Sequence, residues 1–389
     1  MIPYGRQDIN ENDLAAVRAV LTSDFLTQGP KVSIFEAAVA QATGAGHGVA
    51  ANSATSALHI ACMALDLGPG DWLWTVPNTF VASANVGIYC GAQVDFVDID
   101  PETFNMCPDA LEAKLSRADV EGRLPKVLIP VHLTGQSADM ERIGLLARRY
   151  GVRVIEDASH AIGASFAGEP VGACRHSDIT VFSFHPVKIV TTAEGGVAVT
   201  NDACLANRMR RAASHGITRD PALMTHAADG PWYYQQIELG YNYRMTDIQA
   251  ALGISQMARL RDYVAARAAH AAAYDADLAG LPLEVPWQDP RSQSAWHLYV
   301  IRLRLEQVSL SQREIFERLR AAGIGVNLHY IPVHTQPFYQ QLGFEHGMFP
   351  NAEAYYQRAI SIPLFATMTE GQRSEVVEVL HRILFRAAV

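Results

Sequence analysis

The run Gly151-Val152-Arg153-Val154-Ile155-Glu156-Asp157-Ala158-Ser159-His160 decides the fold. Gly151 stops a helix predicted around 139–149, in which Met140, Ile143 and Ala147 share one face. The apolar strand Val152-Arg153-Val154-Ile155 follows at once and ends on two acids. The same alternation recurs on both sides. Upstream lie a strand at Gly48-Val49-Ala50-Ala51, a helix from Ala54 to Leu65, a strand at Trp72-Leu73-Trp74-Thr75 and a helix from about Val81 to Tyr89. Strands at Val94-Asp95-Phe96-Val97 and Val127-Leu128-Ile129-Pro130-Val131 come next. Downstream lies Ile179-Thr180-Val181-Phe182-Ser183-Phe184. Repeated strand–helix–strand units imply an α/β fold, with a mainly parallel sheet covered on both faces between about Gly48 and Asp202. Ligands of such sheets sit beyond the carboxyl ends of the strands. Asp157 and Lys188 both fall just past strand ends, so both are expected on that rim.

Beyond about residue 250 the texture changes. Ala250 to Ala279 is rich in alanine and arginine and reads as strongly helical. Residues 281–389 mix a strand at Leu298-Tyr299-Val300-Ile301-Arg302-Leu303 with a helix from Ser311 to Ala322. The expected division is a large domain over 1–250 and a smaller α+β domain over 251–389. No internal repeat or low-complexity linker marks the boundary.

Composition narrows the function classes. The chain has 389 residues, 49% hydrophobic and 18% charged, enough to bury a sizeable core. Its formal net charge is −9 and no basic run occurs, so nothing points to nucleic-acid binding. An acidic protein that takes an anionic substrate must concentrate its positive groups locally. Cys62, Cys90, Cys107, Cys174 and Cys204 are scattered, odd in number and without a C-x-x-C pair. That pattern disfavours a metal site or a disulfide framework and fits reduced cytosolic thiols. The N-terminal run Met1-Ile2-Pro3-Tyr4-Gly5-Arg6-Gln7-Asp8 has no signal-peptide apolar region. No apolar stretch reaches membrane-spanning length. The expectation is a cytoplasmic protein with no membrane contact.

The chemistry-bearing residues cluster in short runs. Lys188 stands in Ser183-Phe184-His185-Pro186-Val187-Lys188-Ile189-Val190-Thr191-Thr192-Ala193-Glu194-Gly195-Gly196, just after a strand. Taken alone it reads as a surface lysine. Paired with Asp157 it gives the amine and the acid that an enzyme using an aldehyde cofactor needs. The amine bonds the aldehyde, and the acid holds the proton on a pyridine nitrogen so that the ring accepts electrons. Asn52-Ser53-Ala54-Thr55-Ser56-Ala57-Leu58 joins a strand to a helix. Ser53 reads as the N-cap, leaving the N–H groups of Ala54 and Thr55 to hold a phosphate, with Ser183 as a second hydroxyl source. The same run also reads as an ordinary helix cap. Phe80, in Pro77-Asn78-Thr79-Phe80-Val81-Ala82-Ser83, comes from the same rim and either stacks on a planar ligand or fills the core. His160 reads equally as a neighbour of that ligand or as a buried structural histidine. Gly240-Tyr241-Asn242-Tyr243-Arg244-Met245-Thr246-Asp247 opens a helix and offers an amide at Asn242 and a charge at Arg244, or is a plain turn. The pair His329-Tyr330 faces either the cleft or the core of the smaller domain.

Together these runs resemble the DegT/DnrJ/StrS family of sugar aminotransferases, a branch of the fold-type I pyridoxal phosphate enzymes. The resemblance covers nearly the whole chain, from Phe25-Leu26-Thr27-Gln28-Gly29-Pro30 to Gly240–Asp247. Phe184-His185 and the 52–58 turn look closest to the pseudaminic acid branch, the UDP-4-amino-4,6-dideoxy-N-acetyl-β-L-altrosamine transaminases. The resemblance implies pyridoxal 5′-phosphate as cofactor, Lys188 as the lysine that holds it covalently, Asp157 at the pyridine nitrogen and Phe80 stacked on the ring. It implies phosphate contacts from Ala54, Thr55 and Ser183. It also implies one from Asn242 across a homodimer with shared sites. His160 would lie beside the ring. Tyr4, the segment Asp24-Phe25-Leu26-Thr27, Ser53, Ser183 and His329 would meet the substrate. The expected reaction moves an amino group from L-glutamate to C4 of a UDP-linked 4-keto-6-deoxy N-acetyl sugar. A different 3- or 4-keto nucleotide sugar, or a non-catalytic pocket used for sensing, stands as the alternative. Relatives that became dehydratases carry histidine in place of the lysine. Retention of Lys188 argues for amino transfer.

Overall fold

The computed structural model describes residues 1–385. Seven strands form the main sheet: β1 (His47–Ala51), β2 (Trp72–Thr75), β3 (Gln93–Phe96), β4 (Val127–Ile129), β5 (Arg153–Asp157), β6 (Ile179–Ser183) and β7 (Gly196–Thr200). Their spatial order is β1-β7-β6-β5-β4-β2-β3. Strands β6, β5, β4, β2 and β3 pair in parallel, while β7 pairs antiparallel with both β6 and β1. The sheet is therefore mainly parallel, with one reversed strand that the sequence patterning did not single out. Its direction follows from its connection. A parallel return needs a crossover, usually a helix, and the stretch 184–195 between β6 and β7 contains none. That loop carries Lys188, so its reversal keeps the lysine on the rim where β6 ends and β7 begins.

Helices cover the sheet where the periodicity places them. The helix Ala54–Ala64 starts from an N-cap at Ser53. The helix Met140–Tyr150 ends at Gly151, whose φ of 69° is the left-handed conformation that glycine adopts without strain. Strands β4 to β6 are buried along almost their whole length, the mark of a sheet covered on both faces.

The stretch read as strongly helical over Ala250–Ala279 is helical and divides into two, Asp247–Met257 and Leu260–Asp277. Arg259 sits at the break with a backbone outside the helical range, and its guanidinium is held by Asp8 at 2.6 Å and Asp13 at 2.5 Å. This ion-pair cluster ties the break to the N-terminal helix Glu11–Leu21, which packs on Asp247–Met257. A second, antiparallel sheet follows, in which Tyr299–Leu303 lies between Leu283–Glu284 and Ala359–Ile362. The helix expected over Ser311–Ala322 spans Gln312–Ala321 with Ser311 as its cap. No helix among the described residues is long and apolar enough to cross a membrane.

Candidate active site

A cleft of about 470 Å³ opens over the carboxyl ends of β1, β2, β5 and β6. Its lining includes Tyr4, Ser53, Ala54, Thr55, Phe80, Asp157, His160, Ser183, Lys188 and His329. Ten of the residues singled out from sequence thus meet in one place. Strand geometry brings them there, since β1, β2, β5 and β6 point the same way and their following loops share one edge.

At one end stands the 53–55 turn. Ser53 Oγ accepts the Ser56 N–H at 3.1 Å, which fixes the first turn of the helix. The N–H groups of Ala54 and Thr55 belong to that turn, where a helix has no carbonyl of its own to offer them. Gly196, the first residue of β7, packs directly against this turn. A Cβ there would sit 2.5 Å from Ser53 O and 2.6 Å from Ala54 N. Ser183, opposite Gly196 in the β6–β7 register, brings its hydroxyl to the same end.

At the other end the Asp157 carboxylate is buried and takes three hydrogen bonds. Ser83 Oγ donates to Oδ2 at 2.6 Å, while Ser159 donates to Oδ1 through its N–H at 3.1 Å and its hydroxyl at 2.5 Å. Behind it, Glu156 points to the opposite side of β5. It meets His132 Nε2 at 2.6 Å and accepts hydrogen bonds from Ser177 and Thr180. Burial opposes a charge on Glu156, but these bonds outweigh it and lower its pKa.

Lys188 lies in the loop between. Burial drives its pKa down to about 8, and the Asp157 charge pulls the other way. Phe80 is 58% exposed, which removes the core reading and leaves an aromatic face free at the cleft. Three histidines close the floor. Burial and the Lys188 charge push His160 and His297 well below the ordinary imidazole range and His329 down to about 3. All three are neutral at pH 7. His160 Nδ1 accepts the Thr134 N–H at 3.2 Å, so its proton sits on Nε2 and is donated to Tyr330 Oη at 3.0 Å.

Other expected residues lie elsewhere. Asp24, Phe25, Leu26 and Thr27 are exposed and do not line this cleft. Asn242 is exposed, bridged to Ser214, and also outside it. Arg244 bonds Ser214 Oγ at 3.0 Å rather than reaching the cleft. The Asp24–Thr27 segment lies against the end of the Gly240–Asp247 run, because Leu26 O accepts the Asp247 N–H at 3.0 Å and Thr27 bridges Thr246.

Sequence reading passed over Thr79, Ser83, Ser159 and His297. Thr79 and Ser83 stand four positions apart after β2, and their hydroxyls meet at 2.8 Å. That spacing, small and hydroxylated at a helix start, was the available signal. His297 comes from the C-terminal part and had no local signal.

The donor set fits a flat, phosphorylated aldehyde. Helix N–H groups and a hydroxyl suit the phosphate, and the carboxylate with its three donors suits a ring nitrogen. The amine, which burial makes easier to deprotonate than a free lysine, suits the carbonyl. The comparisons with known proteins agree. Residues 7–381 match the model of the DegT/DnrJ/EryC1/StrS aminotransferase family. The spore coat polysaccharide biosynthesis protein SpsC of Bacillus subtilis is 37% identical over 98% of this chain and 97% of its own length. Helicobacter pylori PseC, an aminotransferase involved in the biosynthesis of pseudoaminic acid, superposes with a TM-score of 0.91 at 29% identity, over 99% of both chains. Streptococcus pneumoniae Spr1654, solved in PLP and PMP forms, superposes at 0.90 in each. Its PLP form is 28% identical over 100% of both chains. The chain belongs to the DegT/DnrJ/EryC1/StrS aminotransferase family and is a pyridoxal phosphate-dependent sugar aminotransferase that acts on keto sugars with an amino donor.

Proposed function

We propose that the enzyme moves an amino group from L-glutamate to C4 of a UDP-linked 4-keto-6-deoxy N-acetyl sugar, as in pseudaminic acid biosynthesis. The likeness to PseC along 99% of both chains carries this reading. The 37% identity with SpsC favours a second reading, a different keto nucleotide sugar destined for a surface polysaccharide.

When bound, pyridoxal phosphate supplies a carbonyl that takes up the amine and a ring that holds the electrons of the carbon losing its proton. Ala54, Thr55 and Ser183 would hold the phosphate, Asp157 would meet the ring nitrogen and Phe80 would offer its face to the ring. Lys188 Nζ would hold the cofactor, and the same amine, when free, would take the proton from the donor's α-carbon and give one to C4 of the sugar. A pKa lowered toward neutrality suits an amine that must both take and give a proton.

Tyr4, Ser53 and His329 serve the sugar end of the cleft. Asp24–Thr27 and Asn242 serve the site of a second copy in a homodimer. Their common exposure, away from their own cleft, supports that assignment. The same reading takes 1–250 as the cofactor-binding unit and 251–389 as the smaller one, in a cytoplasmic enzyme.

Half-reactions test the donor and the acceptor separately. Glutamate alone should convert the cofactor to its aminated form. A panel of 3- and 4-keto nucleotide sugars should then show which one restores it, with product configuration read by NMR. Preference for a UDP-4-keto N-acetyl sugar supports the proposal, and turnover confined to 3-keto or dTDP sugars overturns it. Mixing Lys188→Ala and Asn242→Ala chains should recover activity only if the sites are shared.

A further inference from the structure

Tyr330 lines the cleft beside Phe80, with ring centroids 6.1 Å apart. Loops of the main sheet hold it in place. Asn78, itself fully buried, accepts the Tyr330 N–H on Oδ1 at 3.2 Å. The His160 ring lies nearly parallel to the tyrosine ring, at 6.0 Å and 24°. The Thr134 N–H occupies His160 Nδ1 at 3.2 Å, so the imidazole gives its one proton from Nε2 to Tyr330 Oη at 3.0 Å.

The phenol therefore accepts from His160 and keeps its own proton to give. Among the described residues its Oη makes no second hydrogen bond. A half-buried hydroxyl on a cleft wall, with a proton and no protein acceptor, is a donor for whatever fills the cleft.

The sheet order points to the atom that receives the proton. Asn78, Thr134 and His160 follow β2, β4 and β5. The 53–55 turn follows β1, and Ser183 ends β6, both on the other side of β5 in the sheet. In pyridoxal phosphate the carbon that bears the carbonyl lies between the phosphate arm and the phenolic oxygen. With the phosphate arm on the β1–β6 side, the phenolic oxygen faces the side that holds Tyr330. It is also the one polar atom of the cofactor that Lys188, Asp157 and the 53–55 turn do not take up.

We propose that Tyr330, oriented by His160 and Asn78, donates a hydrogen bond to the phenolic oxygen of the bound cofactor. The proposal rests on the cofactor seating given under the proposed function. His160 and Asn78 are positioning residues that act through the tyrosine. The hydrogen bond draws negative charge from the phenolic oxygen, which then holds less firmly the proton on the neighbouring nitrogen that joins Lys188 to the cofactor.

The test uses the cofactor-loaded full chain. Borohydride reduction, with the adduct mapped to Lys188, checks the seating first, and a failure there counts against the seating rather than against Tyr330. The visible absorption band is then titrated with pH. Tyr330→Phe should raise its midpoint by about one unit, a tenfold change in the proton equilibrium. The cofactor-free variant should also bind the cofactor several-fold more weakly. His160→Asn should move the midpoint in the same direction, and should add nothing in the Tyr330→Phe background because it acts through the hydroxyl. An unchanged midpoint in Tyr330→Phe, or additive shifts in the double variant, overturns the proposal. So does a raised KM for the keto sugar with the midpoint unmoved, the mark of a hydroxyl that serves the substrate instead.

Discussion

Ser83 Oγ donates a hydrogen bond to Asp157 Oδ2 at 2.6 Å, joining residues 74 positions apart. The serine has one proton, and the carboxylate can only accept. The 2.8 Å contact between Thr79 and Ser83 is therefore donated by Thr79, which makes a relay of two buried hydroxyls onto the acid. The relay sets the orientation of the carboxylate before any ring nitrogen reaches it.

Ser83→Ala should remove that orientation and leave the carboxylate one donor short. The expected result is roughly tenfold weaker cofactor binding and a stability loss of about 1–3 kcal/mol. Fluorescence titration of the cofactor-free chain and urea unfolding measure the two. Wild-type cofactor affinity in the variant would remove Ser83 from this role.

Phe80→Leu separates a ring-stacking aromatic from a packing one. Because Phe80 is 58% exposed, its loss should change stability by no more than about 0.5 kcal/mol. Cofactor dissociation should nevertheless quicken several-fold, since aromatic stacking contributes about 0.5–1.5 kcal/mol beyond area. A large drop in unfolding midpoint with unchanged cofactor release would contradict this.

Lys188 couples stability to pH in the cofactor-free protein. Its pKa is about 8 in the fold against 10.5 when free, so the unfolded chain holds the extra proton between those values. The burial cost is fully present below pH 8 and fades as pH rises to about 10.5. Lys188→Met should therefore stabilise the cofactor-free protein at pH 7, by at most about 3 kcal/mol. That advantage should shrink through the window above pH 8. Urea midpoints of variant and wild type at matched pH give the difference, and a difference flat with pH would count against a buried amine. The same variant should show no turnover.

Gly196→Ala would place a methyl group against Ser53 O and Ala54 N, both backbone atoms that have little freedom to move. The expected cost is about 1–3 kcal/mol of stability, with a displaced 53–55 turn and weaker phosphate binding. Inorganic phosphate competition against the cofactor reads the second effect. Unchanged competition would mean that the turn does not hold phosphate.

Much of the site was legible because its signals are local. A strand that ends in Glu156-Asp157 and a helix that starts at Ser53 announce themselves within a few residues. Both owe their place on the rim to the direction of parallel strands. Lys188 stood out for the same reason, as an amine in a loop directly after a strand. The reversed β7 did not, because its direction depends on which neighbours it pairs with. The break at Ala258–Arg259 was hidden for a similar reason. Alanine and arginine favour helix throughout, and only the distant Asp8 and Asp13 hold Arg259 at that point.

By itself, then, the amino-acid order determined the α/β class, the rim and the amine–acid pair, since periodicity and strand-end chemistry act over short stretches. Folding in three dimensions decided what surrounds them. It placed Ser83 on Asp157, closed the floor with three neutral histidines and lowered the Lys188 pKa. Each of these depends on burial and on distance between residues far apart in the chain, and neither quantity exists until the sheet and its helices have packed.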